Sequence, residues 1–466
     1  MLFSSLTFLC MFLPMMIIGY YVCPKRFRNT FLFTGSIVFY AFGEPKYLPI
    51  IFTTITISYI GALLIERFEH KKTLLTLFIL LDLSLLFYFK YMNFFLENLN
   101  ELFHQKWSLK VVLPLGISFY TFQALSYLID VYRKQVKAEK NYLKIALYIC
   151  LFPQLIAGPI VKYHDINEQL NCRQETFIRF YNGLKRFIIG LSKKVLIANT
   201  LGEIADKVLA QFIENEGVSV WIAWLGSICR TLQVYYDFSG YSDMAIGLGA
   251  LFGFKFLENF NYPYISKSMS EYWRRWHISL GTWCKDYIYI PMGGSRVATW
   301  RIYFNLFVLF FVIGFWHGAN WNFIAFGVLN AVFIMVERLT GYHKKNPSWI
   351  WWIPQYAYVL FAVNINTILG SSDTVSHALA YLKNLFGVVT PKMVGYNLVY
   401  YMDRIEMIIL TIAIICCMPI FKNILMWGKE CKICRICIDM WLFILLFLSC
   451  TQLAVSTYNP FIYFRF

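Results

Sequence analysis

Long runs of apolar residues are the feature that most restricts what this chain can fold into. Of its 466 residues, 59% are hydrophobic and only 15% are charged, whereas a typical soluble domain carries about 25% charged residues. This composition excludes a soluble enzyme, a disordered chain and a fibrous protein, because a water-soluble fold must cover its surface with polar groups. A membrane-spanning helix needs about 20 mostly apolar residues, and the runs that meet or approach this length lie near residues 2–22, 29–44, 47–65, 73–90, 111–129, 143–161, 177–199, 219–236, 239–256, 302–316, 320–338, 350–369, 405–425 and 440–457.

Some of these runs are short or interrupted, so the number of membrane crossings is smaller than the number of runs. We predict an all-α, polytopic membrane protein with about 11–13 membrane helices, plus re-entrant or interfacial helices, around a central cavity. No linker or low-complexity tract divides the chain, so residues 1–466 are predicted to form a single membrane-embedded domain. The sequence has no visible internal repeat, which argues against an inverted-repeat transporter.

The charges are few but strongly biased, with 42 Lys and Arg against 26 Asp and Glu, a net charge of +16. In a membrane protein such an excess marks cytoplasmic loops. The basic residues after the run 2–22 therefore predict a retained first helix and not a cleaved signal peptide. Short basic connections are expected at Lys71-Lys72, Arg133–Lys140, Lys185-Arg186, Lys193-Lys194, Arg274-Arg275 and Lys344-Lys345.

Two stretches place polar residues inside or beside apolar runs. Residues 113–194 contain LPLGISFYTFQALSYLIDVYR and FPQLIAGPIVKY, and residues 233–337 contain YYDFSGYSDMAIGLGALFG, EYWRRWHISLGTWCKDYIYIPMGG and FWHGANWNFIAFG. Polar groups at membrane depth are costly and normally line a cavity or mark a site. The candidate functional residues come from these stretches.

His317 is the strongest candidate for a catalytic residue. It lies in FWHGANW between two apolar runs, and histidine is the usual general acid or base near neutral pH. Gly318 and Ala319 predict room beside the imidazole for a substrate or another backbone segment. Trp316 and Asn320 are candidate substrate-binding residues. The alternative is a histidine that only forms a hydrogen bond between two helices.

His277 is the second candidate, and Arg275 and Trp276 beside it are candidate substrate-binding residues. If this stretch is one helix, Trp273 and His277 share a face at i, i+4 spacing. Three tryptophans with two arginines are also typical of an amphipathic element at the membrane surface. Membrane anchoring therefore stays open as an alternative to catalysis.

Tyr236 and Asp237 in YYDFSGYSDMAIG are further candidates for substrate binding. The carboxylate can orient a histidine or bind a hydroxyl group, or it can pair with an arginine to cancel a buried charge. After them, Ala245, Gly249 and Gly253 recur every four residues, which indicates close helix packing.

The cysteines give no clear site. Cys431, Cys434 and Cys437 form CxxCxxC, a spacing used by iron–sulfur and zinc sites, but no suitable fourth ligand is adjacent. We expect an unmodified helix end there and no metal. Patterns for nucleotide hydrolysis, zinc proteolysis and serine-hydrolase chemistry are not present in the sequence.

Taken together, WRRWHISLGTWCKDYIYIPMGG and the later WHGANW resemble the membrane-bound O-acyltransferases, in particular their bacterial polysaccharide O-acetylation branch. LPLGISFYTFQALSYLIDVYR, FPQLIAGPIVKY and YYDFSGYSDMAIGLG are similar to that branch as well. The resemblance covers about residues 110–340. It implies that His317 is catalytic, and that His277 occupies a second motif position that carries His or Asn.

The resemblance implies a membrane-bound O-acetyltransferase in the bacterial cell (inner) membrane. An acetyl group would pass from a cytoplasmic donor, with acetyl-CoA expected as co-substrate and no bound cofactor, to an alginate-like exopolysaccharide or peptidoglycan. An exported esterase-like O-acetyltransferase is the expected partner, and no nucleic acid is. The alternatives are D-alanyl transfer to teichoic acid within the same family and, from another class, a transporter or flippase of lipid-linked sugars.

Overall fold

A computed structural model describes residues 1–342, 349–389, 396–420 and 431–461. Within these ranges the chain is helical and contains no β-strand, which confirms the all-α prediction. In chain order the α-helices are α1 Leu13–Val22, α2 Arg28–Gly43, α3 Leu48–Arg67, α4 Lys71–Leu86, α5 Met92–Phe103, α6 Ile117–Tyr132, α7 Tyr142–Cys150, α8 Phe152–Leu155, α9 Tyr163–Asn171, α10 Phe177–Ser192, α11 Asn199–Glu214, α12 Val220–Leu251, α13 Met269–Arg275, α14 Ile278–Cys284, α15 Thr299–His317, α16 Trp321–Leu339, α17 Trp352–Ser371, α18 Val375–Leu385, α19 Leu398–Tyr401, α20 Arg404–Cys416 and α21 Lys432–Val455.

Several helical segments are long and apolar enough to cross a bilayer. Among the described residues there are five, Pro45–Arg67, Lys71–Phe103, Thr299–His317, Trp321–Leu339 and Ile433–Val455. They confirm a multi-pass membrane protein, because a bilayer core about 30 Å thick is spanned by about 20 helical residues. The number of 11–13 membrane helices stays a prediction.

Internal contacts divide the chain into two interleaved units. The first contains Met1–Phe187 and Tyr241–Glu258, and the second contains Ile188–Gly240 and Asn259–Phe466. The single domain over residues 1–466 stays a prediction.

In the first unit, α3 packs closely against its neighbours at Gly61. A Cβ atom at this position would lie 2.7 Å from the Phe78 ring and 2.9 Å from a methyl group of Leu128. Since real Cβ atoms do not approach other atoms so closely, glycine permits α4 and α6 to contact α3 here. Near this contact, α9 is held to α6 by His164, whose Nδ1 lies 2.8 Å from the buried Asp130 carboxylate.

The small residues predicted for helix packing have several roles. The closest approach between helices in this part of the first unit is at Gly247, where a Cβ atom would lie 2.6 Å from the Gly183 carbonyl oxygen. Gly249 faces the ring of Phe256, and Gly253 has a φ of +82° that ends the helical path. The four-residue spacing thus indicates close packing correctly but misses Gly247, the residue at the crossing.

In the second unit, α15 and α16 form a tight helical hairpin. A Cβ atom on Gly314 would lie 2.4 Å from the Phe323 carbonyl oxygen, and one on Gly327 would lie 2.5 Å from the Phe310 carbonyl oxygen. The two glycines let the helix backbones touch. This contact fixes where the C-terminal end of α15 lies relative to α16.

Four basic pairs predicted as connections belong to helices: Lys71-Lys72 begins α4 and Arg274-Arg275 ends α13, and the other two lie inside helical structure. Lys185-Arg186 belongs to α10, and Lys193-Lys194 lies in a π-helical turn, Lys193–Ala198, that leads directly into α11. The expectation was wrong because carboxylates compensate the cations: Arg186 pairs with Asp243 at 2.8 Å in the first unit, and Lys194 pairs with Asp237 at 2.8 Å in the second. Lys344-Lys345 lies outside the described residues.

Candidate active site

His317 is the last residue of α15, at the turn of the hairpin. Gly318 and Asn320 are extended, with φ of −170° and −156°, and α16 begins at Trp321. A Cβ atom at Gly318 would lie 2.3 Å from the Phe323 ring. The Phe323 ring of the next helix thus occupies the place that a side chain at this position would take. The glycine is needed so that the turn can close.

A cavity of about 80 Å³ lies beside His317 in the second unit. One water-sized group needs roughly 10–15 Å³ of this kind of volume, so the cavity has room for several such groups, enough for a small acyl group. Its lining is mainly aromatic and aliphatic with a few polar side chains, as in most small-molecule sites. The lining residues are Val234, Tyr264, Tyr272, Trp273, Trp276, His317, Phe323, Phe326, Asn330, Val363, Asn366, Thr367, Gly370 and Ser371.

His277 lies in a left-handed turn between two short helices. Helix α13 ends at Arg275, His277 has a φ of +45°, and α14 begins at Ile278. The stretch is thus not one helix, and the i, i+4 face expected for Trp273 and His277 does not form. Asn and His are among the residues that adopt this backbone conformation most readily, which gives a physical reason for a motif position that carries His or Asn.

Asn259 holds the His277 turn through both its backbone and its side chain. Its carbonyl oxygen accepts from the Ile278 N–H at 2.9 Å, and its Oδ1 accepts from the Ser279 N–H at 3.2 Å and the Ser279 hydroxyl at 2.9 Å. Because this atom accepts from a backbone N–H, it is the oxygen of the amide. His277 Nδ1, 3.1 Å away, must then be the donor.

The protonation state of His277 follows from this contact and from burial. The ring is 1% exposed, and burial, together with the nearby His317, lowers the pKa of His277 well below its usual value. A buried imidazole stays neutral because the charged form loses its hydration. With the proton on Nδ1, Nε2 carries the lone pair.

Aromatic rings connect the two histidines. The Trp316 ring centroid lies 6.0 Å from that of His277 and 5.1 Å from that of His317. Phe238 packs edge-on against His277 at 4.7 Å, and Phe326 packs edge-on against His317 at 5.6 Å. Both imidazoles therefore pack against aromatic rings, and His277 is buried among them.

Helix α13, which brings Trp273 and Trp276 to the cavity, is anchored by a buried carboxylate. Glu337, 3% exposed, accepts from the backbone N–H groups of Met269 and Ser270 at the start of α13. A helix N-terminus is a favourable site for a negative charge. This contact explains how an acidic residue is accommodated inside the apolar helix α16.

Of the predicted site residues, the structure brings together His317, His277, Trp316 and Trp276. Of these four, His317 and Trp276 line the cavity, and His277 and Trp316 do not. The other four predicted residues also lie in the second unit away from the cavity lining, and each contacts protein groups. The Tyr236 hydroxyl donates to the Ala413 carbonyl at 2.6 Å, Asp237 pairs with Lys194 at 2.8 Å, Arg275 pairs with Glu271 at 2.9 Å, and Asn320 donates to the Asp373 carbonyl at 2.9 Å.

Sequence reasoning missed Asn259, Asn330, Glu337 and Asn366. Asn330, Glu337 and Asn366 lie inside the apolar runs 320–338 and 350–369, so the rule that polar groups at membrane depth mark a site applies to them. Asn259 gives no such signal, because it lies in a connection. Within the described part of the chain, no group of three or more His, Cys, Asp or Glu side chains is arranged to hold a metal ion.

A helical membrane protein with a histidine at a mostly apolar cavity and a second, buried histidine nearby is suited to acyl transfer. The chain belongs to the membrane-bound O-acyltransferase family, whose sequence model matches residues 68–376. This match extends beyond the predicted 110–340 at both ends. The protein is accordingly an acyltransferase.

Three curated relatives illustrate the range of this family. "Probable alginate O-acetylase AlgI" of Azotobacter vinelandii is 44% identical over 72% of this chain and 69% of its own length. "Peptidoglycan O-acetyltransferase" of Helicobacter pylori is 32% identical over 100% of this chain and 98% of its own length. "Teichoic acid D-alanyltransferase" of Bacillus subtilis is 27% identical over 51% of this chain and 62% of its own length.

Proposed function

We propose that this chain is an O-acetyltransferase of the bacterial cell membrane that passes an acetyl group from a cytoplasmic donor to an extracytoplasmic polysaccharide, either an alginate-like exopolysaccharide or peptidoglycan. The observation that carries the proposal is the position of His317 on a cavity of about 80 Å³. The names of the alginate and peptidoglycan relatives support acetyl as the transferred group.

The donor in this proposal is acetyl-CoA, a thioester. The acceptor hydroxyl oxygen forms a bond to the acetyl carbonyl carbon, and the carbon–sulfur bond breaks. His317 takes the proton from the hydroxyl group and passes it to the leaving thiolate, so the products are an O-acetyl ester and free CoA. General acid–base catalysis of this kind contributes about 10²–10⁴-fold to a rate.

His277 is proposed to support the reaction from the second motif position. Its neutral ring is fixed by Asn259 and contacts Trp316, the neighbour of His317. A neutral imidazole with a lone pair on Nε2 can accept a hydrogen bond from the acceptor hydroxyl or from a group beside it. This role differs from that of His317, which must both gain and lose a proton.

The charge of the chain suggests from which side of the membrane the donor comes. The net charge of +16 favours an anionic donor at the cytoplasmic face. The acceptor polysaccharide lies on the other side of the membrane, and we propose that an exported esterase-like protein completes its acetylation. Neighbouring reading frames would test this partner: an esterase-like protein favours O-acetylation, and a carrier-protein ligase favours D-alanylation.

The central test is His317→Ala in proteoliposomes supplied with acetyl-CoA and acceptor glycan, with release of free thiol as the readout. We expect a loss of at least about 100-fold, the lower bound for removing a general base. His377→Ala is the matched control, because it removes an exposed histidine of the same unit. Thiol release by His317→Ala at the wild-type rate would refute the assignment.

The same preparation separates the alternatives. Movement of a lipid-linked sugar without thioester consumption would favour a flippase. D-alanyl transfer from a carrier protein, with acetyl-CoA inert, would favour the activity named for the Bacillus subtilis relative. His277→Asn, which keeps a residue suited to the left-handed turn, should lower the rate less than His317→Ala.

A further inference from the structure

We propose that Asn366 donates a hydrogen bond to the carbonyl oxygen of the acyl group, and that Trp273 and Asn330 hold its amide in the donating orientation. The inference rests on the proposed function, because it assumes that the cavity beside His317 holds the acyl group. It adds a side chain of α17 that stabilises the reacting carbonyl. All the residues involved belong to the second unit.

The orientation of the two amides follows from one group that can only donate. The indole N–H of Trp273 lies 3.0 Å from Asn330 Oδ1, and an indole nitrogen is a donor only. The atom it meets must therefore be the oxygen of Asn330. The nitrogen of Asn330 then faces the Phe326 carbonyl at 2.8 Å and Asn366 Oδ1 at 2.9 Å.

The same reasoning applies to Asn366. Since the nitrogen of Asn330 donates to it, the atom of Asn366 at this contact is its oxygen. The nitrogen of Asn366 lies 2.9 Å from the Ala362 carbonyl oxygen and donates one hydrogen there. The amide is thus held by two hydrogen bonds, and these partners identify which of its two atoms is the nitrogen and which is the oxygen.

One donor of Asn366 remains for a ligand. A side-chain amide carries two N–H hydrogens, and within the described part of the chain only the bond to Ala362 uses one of them. Asn366 is 4% exposed and lines the cavity together with His317. A buried N–H group without an acceptor is unfavourable, so a carbonyl oxygen in the cavity is a favourable partner.

Two hydroxyl groups on the cavity lining are already engaged. The Thr367 hydroxyl donates to the Val363 carbonyl at 2.9 Å, and the Tyr264 hydroxyl donates to the Thr231 carbonyl at 2.7 Å. Both amide hydrogens of Asn330 are used in the contacts described above. The amide of Asn366 is thus fixed in orientation and keeps one N–H hydrogen for a ligand. Stabilisation of a developing charge by a preorganised donor requires such a group.

The proposed acyl transfer requires a hydrogen-bond donor at the carbonyl oxygen. As the acceptor oxygen bonds to the carbonyl carbon, the carbonyl oxygen gains negative charge. When the carbon–sulfur bond breaks, the carbonyl double bond forms again and the negative charge leaves on the thiolate. Asn366 neither gains nor loses a proton in this step. Removing one donor of this kind typically lowers kcat by about 10²–10³-fold, because the bond strengthens in the transition state.

The test is Asn366→Asp, assayed by thiol release from acetyl-CoA in proteoliposomes. The substitution keeps the size of the side chain and an oxygen for Asn330, but a carboxyl group has at most one hydrogen, and the Ala362 carbonyl competes for it. We expect kcat to fall by about 100-fold, with KM within threefold of the wild type. A merely structural role would not confine the change to kcat.

Asn364→Asp is the matched control. Asn364 lies on the same helix and is 5% exposed, but it donates to Thr231 Oγ1 at 3.1 Å and does not line the cavity. A second variant, Trp273→Phe, keeps a smaller aromatic ring and removes the N–H that sets the orientation. We expect it to lower kcat by about 10-fold, which keeps the proposal testable if Asn366→Asp does not fold.

The outcomes separate this inference from the proposed function. If the wild type consumes acetyl-CoA in a His317-dependent manner while Asn366→Asp and Trp273→Phe keep the wild-type kcat, the donor role is wrong and the proposed function stands. An equal loss in Asn364→Asp would also overturn the donor role. If the wild type consumes no acetyl-CoA, both proposals fail together.

Discussion

Exchanging Lys194 for methionine would remove the positive partner of a buried carboxylate. The Lys194 and Asp237 side chains are only 4% and 2% exposed, and Nζ lies 2.8 Å from Oδ1. Lys194 also donates to Asn199 Oδ1 at 2.7 Å and to the Pro460 carbonyl. The variant would leave the Asp237 carboxylate buried without its ammonium group.

The magnitude follows from the distance and the burial. At 2.8 Å and an effective dielectric constant of about 20, the attraction between the two charges is about 6 kcal/mol. Much of this offsets the loss of hydration, so removing one partner typically costs about 3–5 kcal/mol. At the usual entropy of unfolding per residue, a chain of this length shifts its Tm by roughly 1 °C per kcal/mol, which gives a fall of about 3–5 °C.

The control is the double variant Lys194→Met/Asp237→Leu. Replacing both charges by apolar side chains of similar size is typically neutral or stabilising, so its Tm should lie within about 2 °C of the wild type. The assay is intrinsic-fluorescence melting of the purified protein in detergent, followed by thiol release in proteoliposomes. The pairing also holds the helix turn beside Phe238, which packs against His277.

Two results would refute this reasoning. One is a Lys194→Met variant that melts at the wild-type temperature, and the other is a double variant as unstable as the single one. The same double variant tests the sequence prediction that Asp237 binds substrate. If it is stable but inactive, Asp237 acts on the substrate; if it is stable and active, its role is to pair with Lys194.

Two further predictions concern pH and helix packing. The hydrogen bond to Asp130 raises the pKa of His164. The stability contributed by the protonated His164 is therefore fully present below about pH 6.5 and is lost as the pH rises through the raised pKa. His164→Gln should therefore lower the Tm at pH 6 and have little effect at pH 9, and equal shifts at both pH values would contradict this. Gly327→Ala should destabilise the protein by about 1–3 kcal/mol, because the new methyl group would lie 2.5 Å from the Phe310 carbonyl oxygen. Gly370→Ala, whose methyl group meets no atom within 4 Å, is the melting control, and an equal loss of stability there would refute the packing argument.

The helical class and the strongest site candidate could be read from short stretches of sequence. Apolar runs of about 20 residues require helices in a membrane. His317 could be identified because it lies in a short interruption, FWHGANW, between two apolar runs. The same local reasoning failed at His277, where the chain turns between two short helices. No periodic pattern in the sequence indicates that one helix ends there and another begins.

The partners of the site residues could not be predicted in this way. Asn259 with His277, Lys194 with Asp237, and Asn330 with Asn366 are pairs whose members come from different parts of the chain. Each residue alone was compatible with several partners, and Asp237 was equally consistent with substrate binding or charge pairing. The sequence also could not show that the Phe323 ring packs against Gly318.

The sequence by itself determined that this protein is a bundle of membrane helices with a histidine at the end of one of them, because burial of apolar surface and satisfaction of the backbone depend on local composition. The tertiary structure decided which polar side chains meet. Those contacts depend on how distant helices pack, as at Gly314 and Gly327, where the absence of a Cβ atom brings two backbones together. That packing gives the cavity its lining and leaves Asn366 with an amide hydrogen beside His317 for a substrate.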